Sequence, residues 1–591
     1  MRFQRILCTI FLSVPLAAIG LPSYQKTWAL EKDPEPVLPY TPKSGGSGAF
    51  LTAIYAARIG DNLKSAELFN QILQQNKDNK KIQQNAFFYS VLAGSDQAFV
   101  LAKAQKDDPV AALVLGNEAA IKNNWQEAIT YYKQTTSDPL GALSSDLLQA
   151  WCLFGKGQTD QAFAALDVGS KRTLLPGVYI FHKGIMAFMD GRADQASQLF
   201  SQTSRMFSGV DLMLTQTYGH VLVKQGRPGK AQAMVHDLVT VLPNLAIAEK
   251  DLDKALSRFP VHNTQEAMAQ VYLAIASSIQ QDIASQDSDN DDIQTDPQRI
   301  MALHTEQMVL QFALQMNPQL SSARLLLAGI MADEKHIEQA IRILQAINEN
   351  DPLKTVAQLR LARLNALLGK KSEADAILKE LITKYPNQID PWQSWGDISL
   401  ESKNYQQAIH AYTKAIQIER HITMADWPLY FARAIAYDKI NQWPKAQKDL
   451  ETALKLAPNE AVLLNYLGYS WTLRKINLSE AQIMLQRAVD IAPEEAAIRD
   501  SLGWAMIMNN QIKEGVRNLE DASKKIPEDP ELNYHLGVAY WKVGRFQEAI
   551  NQWHVALSCH PEPDVKALIV KALEDANKKK PNLSFMKEER K

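Results

Sequence analysis

Residues 531–561 read ELNYHLGVAYWKVGRFQEAINQWHVALSCHP, and the places of the small residues in that phrase decide the fold. Gly537 stands in a first apolar run, Ala549 follows 12 residues on, Ala556 comes 7 later, and Pro561 closes the phrase after 5 more. The phrase recurs back to Ile389. Its first small residues are Gly396, Ala434, Gly468, Gly503 and Gly537, separated by 38, 34, 35 and 34 residues. The second set is Ala408, Ala446, Ala481, Gly515 and Ala549, the third is Ala415, Ala453, Ala488, Ala522 and Ala556, and the prolines are Pro458, Pro493, Pro527 and Pro561. Self-similarity at a fixed period of this length is the mark of a stacked array.

The spacing has a physical reading. Two apolar runs, Tyr534 to Trp541 and Phe546 to Leu557, are joined by a short polar turn and read as an antiparallel helix pair. Small residues such as Gly537 and Ala549 let the helices approach at their crossing, and Leu536, Tyr540 and Trp553 fill the remaining contact positions. One pair leaves an apolar surface that only a neighbouring pair can cover. The prolines, lacking an amide hydrogen and clashing with the preceding turn, end each second helix. This pattern resembles the tetratricopeptide repeat (TPR), a 34-residue helix pair, with Leu536, Gly537, Tyr540, Ala549, Trp553, Ala556 and Pro561 on its signature positions. Two departures are visible: an extra residue in the Arg474 to Ser479 turn, and Gly515 in place of alanine. The expected fold is all-α, a TPR-type α-solenoid.

Weaker copies continue upstream, where Gly116 with Ala128, Ala150 with Ala162, Gly184 with Ala196, and Gly219 with Ala231 are each 12 apart. Gly60, Gly157, Gly191 and Gly226 mark the turns between helices. The expected organisation is a signal peptide at 1–29, a flexible lead-in at 30–48, a divergent array at 49–260, an irregular helix plus acidic loop at 261–300, a regular array at 301–561, and a capping helix with a basic tail at 562–591. The run Gln281 to Gln298 reads as a solvated loop; it lacks the central glycine and distal glutamate of a calcium loop.

The start of the chain reads as an address. Arg2 and Arg5 precede the apolar stretch Ile6 to Leu21, which is broken by Pro15 and followed by small residues, with cleavage expected after Ala29 and an uncleaved anchor as the alternative. Removing residues 1–29 leaves 60 basic residues against 65 acidic, a net charge of −5, with no general pull towards nucleic acid. Cys152 and Cys559, the two cysteines left, are expected to be free thiols. Export to the periplasm follows, with outer-membrane association as one option and no membrane span after cleavage.

No catalytic constellation stands out. HExxH, GxSxG and GxxxxGK[ST] are absent from the sequence, His554, Cys559 and His560 do not share a helical face, and no cofactor or metal is expected. The chain is therefore read as no enzyme. The TPR resemblance implies an inner face built from fixed positions of each first helix. In this sequence those positions hold Phe431, Asn465, Tyr469, Asp500, Trp504, Tyr534 and Trp541, an aromatic stripe with polar handles. The resemblance to exported TPR proteins of Gram-negative bacteria implies a cell-envelope scaffold that docks a protein or extended peptide, in outer-membrane or cell-wall assembly. The clamp with which some TPR domains take carboxylate tails is not expected, since Asn465 with Tyr469 and Asp500 with Trp504 stand at its positions. Alternatives are a glycan or small-ligand binder, an adaptor for a partner enzyme, and an active site within Leu242 to Gln298. Lys578, Lys579, Lys580, Lys587, Arg590 and Lys591 give the tail a weak attraction to anionic surfaces.

Overall fold

The computed structural model describes residues 47–579, apart from 106, 137, 174–175, 207–210, 287–296 and 420–421. The signal peptide, most of the lead-in, the centre of the acidic loop and the end of the basic tail lie outside the described residues. Within them are thirty α-helices, two short 3-10 helices and no strand.

Six pairs come first: α1 (Ser47–Arg58) with α2 (Asn62–Gln75), α3 (Lys80–Leu92) with α4 (Gln97–Ala102), α5 (Pro109–Ile121) with α6 (Trp125–Lys133), α7 (Pro139–Gly155) with α8 (Thr159–Ser170), α9 (Pro176–Met189) with α10 (Ala193–Met206), and α11 (Leu212–Lys224) with α12 (Pro228–Val241). A 3-10 turn (Pro243–Ala248) and α13 (Glu249–Ala255) lead to the long pair α14 (Thr264–Gln286) and α15 (Pro297–Met316). Two regular pairs follow, α16 (Ser321–Asp333) with α17 (Ile337–Gln345) and α18 (Lys354–Leu367) with α19 (Lys371–Lys384). The last five are α20 (Ile389–Glu401) with α21 (Tyr405–Ile418), α22 (Trp427–Lys439) with α23 (Trp443–Leu456), α24 (Ala461–Arg474) with α25 (Leu478–Ile491), α26 (Ala496–Met508) with α27 (Ile512–Lys525), and α28 (Pro530–Lys542) with α29 (Phe546–Ser558). Helix α30 (Pro563–Lys579) closes the stack, with Ile569 and Ala576 buried.

The chain divides into two compact units between Pro391 and Trp392, within α20 and away from the sequence-based boundaries at 260 and 300. In the first unit the long pair α14–α15 crosses the first helices α3, α5, α7 and α9. Polar side chains fix its register. Tyr272 donates to Asn117 Oδ1 at 2.7 Å, Gln265 donates to the Ala120 carbonyl at 3.0 Å, and Gln311 donates to the Leu92 carbonyl at 3.1 Å. Val271, Tyr272, Val309, Leu310 and Phe312 are fully buried beside them. The sequence reading of Gln281 to Gln298 as a solvated loop is corrected at its described ends. Gln281–Gln286 continues α14 as helix, and α15 begins at Pro297.

The turns follow the expectation and extend it. Gly60, Gly157, Gly191 and Gly226 have φ between +72 and +78°. At other turns the same left-handed residue is Asn123, Lys335, Lys403, Asn441 or Asn510. The extra residue after Arg474 is absorbed by two left-handed residues, Lys475 and Asn477. Second helices stop two or three residues before each proline, as at Leu456 before Pro458, and Ala457 leaves the helical region at φ −130° and ψ +75°.

Glycine and ring meet at a fixed offset. A Cβ on Gly116, Gly184, Gly396 or Gly537 falls 2.3–2.7 Å from the ring of Tyr132, Phe200, Tyr412 or Trp553, each 16 residues later. At Gly537 this corrects the expected small-on-small contact with Ala549: the space goes to an indole, whose N–H donates to the Tyr534 carbonyl at 3.2 Å. A Cβ on Gly468 or Gly503 would instead fall 2.9 Å from the Leu485 or Leu519 side chain and 3.1 Å from the carbonyl oxygen of Ala481 or Gly515.

Two outcomes are expected. Gly537→Ala forces the Trp553 indole to move and lowers stability by about 1–3 kcal/mol, read by urea unfolding. Glu306 in α15 is 1% exposed; burial, and then the charge of Asp333, push its carboxyl up to about 8. A carboxyl raised on folding stabilises in its protonated form, so that contribution is complete below the ordinary carboxylate range and is lost as pH rises towards about 8. Thermal melts of the wild type fall across that window, and those of Glu306→Gln fall less.

Candidate partner-binding wall of the second unit

Three first helices each contribute a pair of residues four apart, which places both members on one helix face. They are Asn465 and Tyr469 on α24, Asp500 and Trp504 on α26, and Glu531 and His535 on α28. Helix α24 packs on α26 and α26 on α28, whereas the second helices of these repeats contact one another little. The stack therefore closes towards its first helices, and their side chains line its inner side.

His535 is the centre of this wall. Its Nδ1 lies 3.1 Å from Asp500 Oδ1 and 3.3 Å from Oδ2, and its ring stacks on Trp504 at 4.2 Å and 16°. On the other edge, Nε2 lies 3.4 Å from the Tyr469 hydroxyl, which donates to Glu531. The Tyr534 ring is 5.8 Å from His535 and 6.3 Å from Trp504. Asp500 is 0% exposed and His535 2%, while Tyr534 and Glu531 are half-buried at the rim. Burial raises the Tyr534 hydroxyl above the ordinary phenol range, which keeps it a neutral donor. One network thus spans three consecutive repeats.

The structure brings Tyr469, Asp500, Trp504 and Tyr534 together around His535, with Asn465 one turn from Tyr469. It separates Phe431 and Trp541 from them. Phe431 is 1% exposed, edge-on to Tyr466 at 5.4 Å and beside Trp427 at 6.0 Å, which makes it packing between first helices rather than groove lining. Trp541 folds back on its own hairpin, 4.7 Å from Phe546 and 5.7 Å from Trp553. Tyr469, Asp500 and Trp504 are themselves mostly buried, so what the wall offers at its rim is chiefly Tyr534 and Glu531. The sequence reading missed His535 and Glu531. Their four-residue spacing, matching Asp500 with Trp504 one repeat earlier, is the signal that finds them.

Ion pairs brace the neighbouring repeats. Arg433 meets Asp449 through two contacts of 2.7 and 2.8 Å, and Arg474 pairs with Asp438 while lying 4.0 Å over the Trp443 ring. Cys152 and Cys559 are free, and burial pushes the Cys152 thiol up to about 12, an inert state. Among the described residues no group of three or more His, Cys, Asp and Glu is arranged to hold a metal, and no helix is long and apolar enough to cross a membrane.

Residues 262–423 match the family described as tetratricopeptide repeat-like domain, and residues 431–496 and 502–554 match the tetratricopeptide repeat family. The fold is a TPR-type α-solenoid. Among solved structures, the APC/C hetero-tetramer Cut9–Hcn1 is similar at 16% identity and a TM-score of 0.36, over 79% of this chain and 99% of that one. Yeast Tom70 is similar at 13% identity and 0.31, over 79% and 95%. YrrB, a TPR protein with an unusual peptide-binding site, is similar at 17% identity and 0.27, over 33% and 97%.

The TPR wall makes a prediction of its own. His535→Leu removes the ring that faces the buried Asp500 carboxylate and is expected to cost about 1–3 kcal/mol. Urea unfolding followed by tryptophan fluorescence measures it, with Lys513→Leu, exposed on α27, as the unaffected control.

Proposed function

We propose that this protein is a non-catalytic scaffold that docks an extended segment of a partner protein on the inner side of α24, α26 and α28. The carrying observation is the network that joins Tyr469, Asp500, Trp504, Glu531 and His535 across three repeats. A wall fixed this way loses little freedom when a partner arrives, and that is what gives a repeat array its affinity. The first unit differs, because α14–α15 already covers the inner side of its helices α3 to α9. The docking role accordingly falls to the second unit. The basic, apolar start of the sequence supports export, and with it a place in the periplasm among cell-envelope assemblies.

Site-directed photo-crosslinking tests the docking role. A photoreactive phenylalanine analogue at Tyr534, on the rim, is expected to crosslink a discrete protein partner in cells. The same analogue at Val555, exposed on α29, is expected to give none. Equal products from both positions, or none from Tyr534, contradict the reading.

A further inference from the structure

The crossing pair α14–α15 buries polar atoms that nothing bonds: Gln270 Oε1 and Gln280 Nε2 on α14, Glu306 Oε1 and both amide atoms of Gln315 on α15. Each stranded atom costs free energy, so a contact that keeps several is weaker than its area implies. The two helices also touch one another far more than they touch any helix they cross. Beneath them, Asn117 accepts from Tyr132 at 2.8 Å within its own hairpin, a bond that does not need Tyr272 of the crossing pair. We propose that α14–α15 is a strap that lifts from α3, α5, α7 and α9 as one unit when Glu306 loses its proton, uncovering the inner side of the first unit. The strap is independent of the docking wall on α24, α26 and α28.

Glu306 ties the strap to a proton through its surroundings. Its side chain is 1% exposed and its Oε1 receives no hydrogen bond. Asp333, the last residue of α16, brings a charge of the same sign, and the C-terminal end of a helix is its negative pole. Glu334, next to it, adds a second carboxyl on which Asp333 acts as well. The nearby cations are engaged with Asp333: Arg299 on α15 and Arg360 on α18 both act on it, with Arg363 beside Arg360. Arg360 also donates to the Leu325 carbonyl at 2.9 Å. Other titratable groups on these elements are neutral or paired. Burial lowers His304, edge-on to Phe88, and His336 after α16, and it raises Tyr89 on α3. Glu118 on α5 pairs with Lys122 at 2.6 Å, Glu266 on α14 meets His262 at 3.0 Å, and Asp61 caps the Lys64 amide at 3.0 Å. An ionised Glu306 is thus far better accommodated in water than under the strap. Above the ordinary carboxylate range and up to about 8, each pH unit favours the lifted strap about tenfold.

Amide hydrogen exchange of the full chain, read by mass spectrometry and corrected for the intrinsic effect of pH, tests this between about pH 6 and about pH 8. Peptides from α14 and α15 are expected to lose protection together, by about tenfold per pH unit. Peptides from α10, a second helix of the same unit, and from α26 are expected to hold theirs. In Glu306→Gln, which keeps the shape and cannot ionise, protection of α14 and α15 is expected to stay level. The wild-type comparison decides by itself if that variant does not fold. Constant protection of α14 and α15 in the wild type, loosening of α15 without α14, or a matching loss in α10 overturns the proposal. So does a Glu306→Gln protein whose α14 and α15 follow pH as the wild type does.

Discussion

Four hairpins of this fold are seated by a ring from one helix entering the place where its partner helix has no side chain. Tyr132 over Gly116, Phe200 over Gly184, Tyr412 over Gly396 and Trp553 over Gly537 repeat the contact with the same 16-residue offset. It fixes how deeply two helices seat and at what rotation. That rotation decides which residues of the first helix face the partner helix, the next repeat and the inner side. A hairpin assembled this way still exposes apolar surface, and its neighbours supply the cover, so stability is shared between adjacent repeats.

The two units use the same hairpin to different ends. In the first, α14 and α15 lie across α3, α5, α7 and α9, and Asn117, which accepts from Tyr132 on its own hairpin at 2.8 Å, accepts from Tyr272 of the crossing pair as well. In the second, the corresponding residues of α24, α26 and α28 bond to one another through Tyr469, His535 and Asp500. Inner-side polarity that one unit satisfies with its own helices is organised by the other into a wall with a charged rim.

Much of this was legible in the sequence, and the reason is steric. The 34-residue period, the crossing glycines and the closing prolines are local requirements of the helix pair, visible without knowledge of the partner. So were the left-handed turns at Gly60, Gly157, Gly191 and Gly226. The equivalent turns at Asn123, Lys335 and Lys403 were not, because these residues adopt that conformation only when their surroundings impose it. That α14 and α15 cross α3 to α9 was not legible, because the contacts that place them lie far away in sequence. Of the residues that position within the repeat selects, Tyr469, Asp500, Trp504 and Tyr534 gather around His535. Phe431 and Trp541, named by the same rule, turned into packing: an aromatic at an inner position reaches whichever neighbour is nearest, and Tyr466 and Trp553 were nearer than the groove. His535 was missed because a histidine in an apolar run looks like any other core residue until Asp500 is placed beside it.

The central claim is that the inner side of the first unit is sealed by its own helices while the wall of the second keeps a reachable rim. Hydroxyl-radical footprinting of the full chain, read by mass spectrometry at Tyr272 and Tyr534, tests it most directly. Tyr272, on the crossing pair and fully buried against α5, is expected to stay unmodified while half-buried Tyr534 is oxidised. Oxidation of Tyr272 at a rate equal to or above that of Tyr534 would contradict the account.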